Sequence, residues 1–357
     1  MDSEQVLPKA FYSGKARAKR LLAVFLLVVV GSSAILSVSG RIDIISLVGP
    51  HVERSEWAFT MTGARQLNSI GLTGIGVTVC VVDSGLDILH PDFSHLHLVA
   101  WKDLVNQRPD PYDDRGHGTA MTGLIVADGS IRGVAPGVNI IAVKALNQIG
   151  LGSPQNVADG ISFCLDPFRT GKGGADIISL SLGSQSVNFF DQTVYDAVAL
   201  ATARGVFVIV AAGNDGQTPG NTDVATAGQV PLAISVGAVD LYGARAPFSS
   251  IGSSVNRTDP NLKPEITAPG VQLVSTAPGA HYLTVSGTSP ATAVVAGVIA
   301  LILQAKPTLR PGGTPGNVMM VKMAIMQGSF RAQGQLLPHD PWYGYGIVNG
   351  PGILAKL

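Results

Sequence analysis

From Trp57 to the C-terminus the chain repeats one pattern. A short β-branched run ends in Gly, Asp or Asn, and a longer stretch of helical periodicity follows. Val77-Thr78-Val79-Cys80-Val81-Val82 reads as a buried strand, and so do the runs Ile140 to Val143, Ile177 to Leu182, Val206 to Val210 and Ile234 to Val236. Continuous apolar runs suit a parallel sheet covered on both faces. Helices are predicted between them. Ser153 caps one with Pro154 at its first position, and Pro167 stops it after Leu165. Gln192 to Ala203 is another, closed by Gly205. The stretch from Ser289 to Gln304 is apolar almost all round, so a helix there must be buried. Tyr343 to Val348 reads as a final turn and strand. The alternation predicts an α/β fold, a doubly wound, mostly parallel sheet with helices on both faces, preceded by one N-terminal apolar helix.

Charge and cysteine narrow the functional classes. Charged residues make up 13% of the chain and the formal net charge is zero, which gives no sign of nucleic acid as a partner. The two cysteines, Cys80 and Cys164, exclude a disulfide-built scaffold at this size. The expectation for them is two buried free thiols, with a single disulfide as the alternative. A thiol nucleophile is disfavoured, because neither has exposed, basic surroundings.

The N-terminus carries a membrane signal. Lys9, Lys15, Arg17, Lys19 and Arg20 precede an apolar stretch from Leu21 to Val38, with small residues at Ser37-Val38-Ser39. This divides the chain into a basic segment 1–20, a signal peptide or membrane anchor 21–39, a linker 40–56 and a folded domain 57–357. A cleaved signal and a retained anchor both fit the pattern, and both leave the basic end in the cytoplasm and the domain outside. A buried core helix is the third reading of the same stretch.

Candidate catalytic groups cluster at the ends of the expected strands, where open α/β sheets form their crevice. Asp83 follows the first strand; alone it would pass for a turn or helix cap. His117 lies between two glycines at the start of a helical run, unlike the histidines at 51, 90, 95, 97, 281 and 339. Asn214 closes the strand ending at Ala212; alone it is a turn-forming Asn. Ser289 opens the apolar helix, where a free backbone N–H and the helix dipole favour negative charge; alone it is an N-cap. Hydroxyl, imidazole, carboxylate and amide are the set that serine-based amide hydrolysis needs.

Taken together, Val81-Val82-Asp83-Ser84-Gly85, Gly116-His117-Gly118-Thr119, Ala212-Gly213-Asn214 and Gly287-Thr288-Ser289 resemble the four active-site blocks of the subtilisin-like serine proteases, in that family's order. His90-Pro91-Asp92, Val134-Ala135-Pro136, Ala142-Val143-Lys144 and Ala268-Pro269-Gly270 resemble further landmarks, so the likeness spans Trp57 to Ala355. The resemblance implies a serine endopeptidase acting on polypeptides, with Asp83, His117 and Ser289 as catalytic triad and Ser289 N–H and Asn214 as oxyanion hole. It also implies a substrate strand held between Gly150-Leu151-Gly152 and Ser181-Leu182-Gly183.

Some features depart from the family. Pro290 stands where Met is usual, Ala293-Val294 where Pro-His is usual, and Ala120 where a second His is usual. The stretch from Gly123 to Gly133 is short and poor in oxygen ligands for the family's calcium loop. No metal ligand is assigned and no cofactor is required for the chemistry; structural calcium stays open, with no evident site. The span between the apolar segment and Trp57 has no room for a folding pro-domain, so residues 41–357 are expected to fold alone. An inactive homologue serving as a binding module is the alternative function. An α/β-hydrolase esterase would need Gly-x-Ser-x-Gly with Ser before His, and Ser289 follows His117. Asn256-Arg257-Thr258 is a glycosylation sequon.

Overall fold

A computed structural model describes residues 55–168, 174–182, 192–311 and 314–357. The N-terminal apolar helix expected at 21–39, and the boundaries around it, lie outside the described residues.

Seven of the described strands form one sheet. In chain order they are β1 (Thr78–Asp83), β2 (His97–Asp103), β3 (Asn139–Lys144), β4 (Ile177–Leu180), β5 (Phe207–Ala211), β6 (Ile234–Val239) and β7 (Ile266–Pro269). Their spatial order is β2-β3-β1-β4-β5-β6-β7, and every neighbouring pair is parallel. A separate antiparallel hairpin joins β8 (Leu273–Ala277) to β9 (His281–Val285). From β1 the chain goes first to the edge strand β2, returns through β3 between the two, and then builds in the other direction through β4 to β7. The crevice beside the first strand is thus a topological switch point.

The central strand shows why both faces must be covered. Side chains of a strand alternate between faces. Val79 and Val81 enter one core, with helices α1 (His117–Val126) and α4 (Thr288–Ala305); Cys80 and Val82 enter the other, with α2 (Pro154–Leu165) and α3 (Gln192–Ala203). Ser153 caps α2 as expected, its hydroxyl accepting the Asn156 N–H at 3.0 Å. Helix α4 is long and apolar enough to cross a membrane, yet 89% of it is buried inside the domain.

Several expectations change. β2 went unforeseen because it is an edge strand, half-exposed and irregular, with a register shift between Leu98 and Ala100. Tyr343 to Val348 forms no strand. Gly344 and Gly346, at φ +64° and +139°, turn the chain, so Ile347 makes isolated bridges to Thr267 and Phe330 before a short helix at Gly350–Leu354. The cysteines are not free: Cys80 and Cys164 are disulfide-bonded, with Cα atoms 5.8 Å apart. The alternation that points Cys80 into the α2 core brings it against the inner face of that helix.

Charge is also buried. Glu265 Oε1 accepts from Lys263 and Lys322, each at 2.7 Å, with all three side chains inside the protein. Lys263 also donates to the Val230 and Ala233 carbonyls, and Lys322 to Asn261 and Pro231. Burial pulls the Lys263 ammonium down to about 7, although Glu265 opposes this. The cluster ties the entrance of β7 to helix α5 (Gly316–Gly328).

The disulfide closes a span of 84 residues. Loop-closure entropy makes that worth about 4–5 kcal/mol. The Cys80→Ala/Cys164→Ala double variant should lower the unfolding free energy by up to that amount in a denaturant titration. An unchanged midpoint would mean that the bridge adds nothing.

Candidate active site

Asp83 and Asn214 lie at strand ends on the carboxyl side of the sheet, Ser289 is bonded to Ser181 just past β4, and His117 is bonded to Asp83. Asp83 is the last residue of β1 and is 1% exposed. His117 opens α1 behind Gly116, whose φ of +91° turns the chain into the helix. A Cβ on Gly118 would overlap the Gly85 carbonyl and come within 3.2 Å of the Asp83 Cβ, so glycine there lets the helix approach the strand end. As a result His117 Nδ1 lies 2.7 Å from Asp83 Oδ1 and 2.9 Å from Oδ2. Burial pulls the imidazole pKa down, but the charge of Asp83 and its hydrogen bond outweigh this and hold it above the usual 6.5. An imidazole anchored at Nδ1 by a buried carboxylate presents Nε2 as a base.

Ser289 sits in the first turn of α4 and is 5% exposed. Its hydroxyl donates to the Ser181 carbonyl at 3.0 Å, and the Ser181 hydroxyl returns a bond to the Ser289 carbonyl at 3.3 Å. Among the described residues, no hydrogen bond joins Ser289 to His117. Catalytic hydrogen bonds are often long or absent before substrate binds. Pro290 follows inside the first turn, where its missing N–H had no helical partner to lose.

Asn214 is exposed just past β5. Its Oδ1 accepts the Thr288 N–H at 2.9 Å and the Thr288 hydroxyl at 3.1 Å. With the acceptor end fixed, the Nδ2 donor is directed toward Gly287 and lies 3.4 Å from the point where that residue would carry a Cβ. Two donors, this amide and the N–H of Ser289, therefore stand at the head of α4, where the helix dipole favours an oxyanion.

The expected substrate segments are only partly as foreseen. Leu151 has its N–H and C=O bonded to Asn147, at 3.0 and 2.9 Å. The Gly150 carbonyl and both backbone groups of Gly152 have no such partner among the described residues. Strand pairing uses alternate residues, so Gly150 and Gly152 are the pair able to accept an added strand. Ser181 and Leu182 are buried at the end of β4, and Gly183 lies outside the described residues.

Three supporting residues were missed as functional. Asp113 accepts five bonds, from the Ser84 and Thr119 hydroxyls and from the N–H groups of Arg115, Gly116 and Thr119. Burial raises its pKa, but these donors outweigh burial and hold it below the usual range. Lys144, fully buried, donates to the Ser84 and Leu146 carbonyls and pairs with Asp114 at 2.6 Å. Thr288 orients Asn214. Asp113 lies three residues ahead of the N-cap Gly116, outside the usual capping positions, so no local signal marked it; Lys144 ended the apolar run Ile140 to Val143.

Among the described residues, no three His, Cys, Asp or Glu stand together as a metal ligand set. In the stretch after Gly123, the Asp92 carboxylate accepts the N–H of Ser130 at 2.8 Å and of Ile131 at 3.1 Å, and the Tyr282 hydroxyl at 3.0 Å. These three protein donors tie Asp92 to the loop after α1 and to β9.

Comparison with known proteins finds relatives along most of the chain. The subtilase family profile matches residues 74–346. Serine protease AprX of Bacillus subtilis (strain 168) is 37% identical over 313 residues, 79% of this chain and 67% of its own. Subtilisin NAT of Bacillus subtilis subsp. natto is 37% identical over 290 residues, 80% of this chain and 68% of its own. Subtilisin Savinase of Lederbergia lenta is 36% identical over 255 residues, 71% of this chain and 85% of its own.

The raised imidazole pKa has a testable sign. If His117 must be neutral to accept a proton, kcat/KM should fall in acid along a limb centred above 6.5. Asp83→Asn removes the charge that raises the pKa and leaves burial in place. The limb should move to lower pH and kcat should drop about 10⁴-fold, the size of loss measured for triad carboxylates in serine proteases. The ion pair also adds stability below the unfolded-state value of 6.5, and this is lost as pH rises through the folded value. An acid limb that stays put in Asp83→Asn would contradict the assignment.

Proposed function

Because the chain belongs to the subtilase family and is a serine endopeptidase, we propose that it hydrolyses peptide bonds through an acyl-enzyme on Ser289, with His117 as general base and Asp83 as its orienting carboxylate. The observation that carries this reading is the bond from His117 Nδ1 to the buried Asp83 carboxylate at the sheet end that also receives the head of α4.

The steps follow from the groups present. Substrate pairs with Gly150 and Gly152 on one side and with the segment from Ser181 through Leu182 to Gly183 on the other. The Ser289 hydroxyl leaves the Ser181 carbonyl, passes its proton to His117 Nε2 and attacks the scissile carbonyl carbon. The carbonyl π electrons move onto oxygen, and the Ser289 N–H and Asn214 Nδ2 hold that oxyanion. His117 then gives its proton to the departing amine as the C–N bond breaks. Water enters, loses a proton to His117 and attacks the ester. Collapse of the second tetrahedral species returns the proton to Ser289 and frees the acid. The chemistry of the family calls on no cofactor.

We place the domain outside the cytoplasm, with residues 1–20 as the cytoplasmic end, 21–39 as the membrane-directed segment, 40–56 as linker and 57–357 as the peptidase domain. Two features support this: the basic-then-apolar N-terminus, and a disulfide of the kind that persists in oxidising compartments. The N-terminal residue of the mature protein separates a cleaved signal from an anchor.

A fluorophosphonate probe should label wild type and leave Ser289→Ala unlabelled, and that variant should lose about 10⁶-fold in kcat. Asn214→Ala should lower kcat roughly 10²–10³-fold with little change in KM. Folded wild type that takes no label would return the inactive, scaffold reading, in which the Ser181–Ser289 bonds are a resting structure and nothing more.

A further inference from the structure

Around the proposed triad almost every charge has a partner. Asp83 is bonded to His117, Asp113 to five donors, and Asp114 to Lys144. Asp87 accepts the N–H of Leu89 and of Gly279. Arg115 is the exception. It is exposed, two residues before His117, and among the described residues its guanidinium meets no carboxylate.

Its position is specific. The guanidinium lies across Gly150, such that a Cβ on that residue would stand 2.6 Å from Nη1 and 2.8 Å from Nε. Gly150 adopts φ +82° and carries one of the backbone carbonyls left for an added strand. The cation is also near enough to His117 for its charge to oppose protonation of that ring. One side chain thus touches the edge where substrate would pair and bears on the base that would act beside the scissile bond.

We propose that Arg115 is a specificity-determining residue that selects an acidic side chain, Asp or Glu, within two residues of the scissile bond. This rests on the peptidase reading of the site. A guanidinium with no internal carboxylate partner keeps its five donors for a ligand and matches a carboxylate in planar, bidentate geometry. The same charge disfavours Lys or Arg at that subsite through like-charge repulsion.

The test uses the full-length protein and a set of fluorogenic peptides that vary one position at a time on either side of the cleaved bond, as Glu, Gln and Lys versions. At low salt, wild type should prefer Glu over Gln at one such position by about five-fold in kcat/KM, the upper range for a solvent-accessible ion pair. That ratio should shrink as salt rises, by screening. Arg115→Gln should bring the ratio to near one, and Arg115→Glu should reverse it in favour of Lys. Arg115 is exposed, so these changes are made at the surface, and the wild-type salt series tests the idea without any variant. A Glu-to-Gln ratio near or below one in wild type at every position, or a preference that Arg115→Gln leaves intact, overturns the proposal. In either case cleavage of the Gln peptides would leave the peptidase reading standing. A folded wild type that cleaves no peptide and takes no probe overturns both.

Discussion

The burial of α4 is the constraint on which the rest of the structure depends. Eighteen residues from Thr288 to Ala305 carry almost no polar side chain beyond the first turn, and only Gln304 and Ala305 escape full burial. A helix of this kind has no stable exposed face. Each large aliphatic side chain removed from water contributes about 1.5–3 kcal/mol. The helix therefore lies against β4 to β7 and α1, and its N-terminus is fixed at the carboxyl rim of the sheet. Everything at that rim follows from this placement. Thr288 reaches Asn214 through both its N–H and its hydroxyl, and the Ser289 hydroxyl reaches Ser181.

A rim built from strand ends and helix starts exposes many unpaired backbone groups, which buried polar side chains then satisfy. Asp113 gathers the N–H groups at the start of α1, and Lys144 gathers the carbonyls beyond β1 and β3. Removing either would leave several buried groups without partners, at about 1–3 kcal/mol each. These residues touch no reacting atom in the mechanism proposed. They fix where the reacting atoms stand, and to within a few tenths of an ångström a triad depends on that. The Asp92 hub does the same for the loop after α1.

The lengths and order of the buried elements were legible in the sequence because burial on both faces leaves long apolar runs. Helices α2 and α3 fall where the Ser153-Pro154 and Gly205 signals put them, and β1, β3, β5 and β6 lie within two or three residues of their apolar runs. The edge strand β2, the four-residue strand β7 and the hairpin β8–β9 were not legible. A half-exposed strand has no continuous run, and a hairpin of mixed residues depends on the surface it packs against. The Tyr343–Val348 segment misled because aromatic and β-branched residues favour extended backbone locally, while two glycines at positive φ bend it.

The chain's order of Asp83, His117, Asn214 and Ser289, each beside glycine or at an element boundary, was determined by the sequence alone, and so was the parallel sheet that could bring them together. Local chemistry sets these: strand ends, helix starts and turns are written in neighbouring residues. The tertiary structure decided the long-range pairings. It joined Cys80 to Cys164 across 84 residues, set Lys263 and Lys322 on one carboxylate, turned the Ser289 hydroxyl to Ser181, and laid Arg115 over Gly150. Such contacts depend on which faces of distant elements meet, and that is a property of packing geometry, not of any local run of residues.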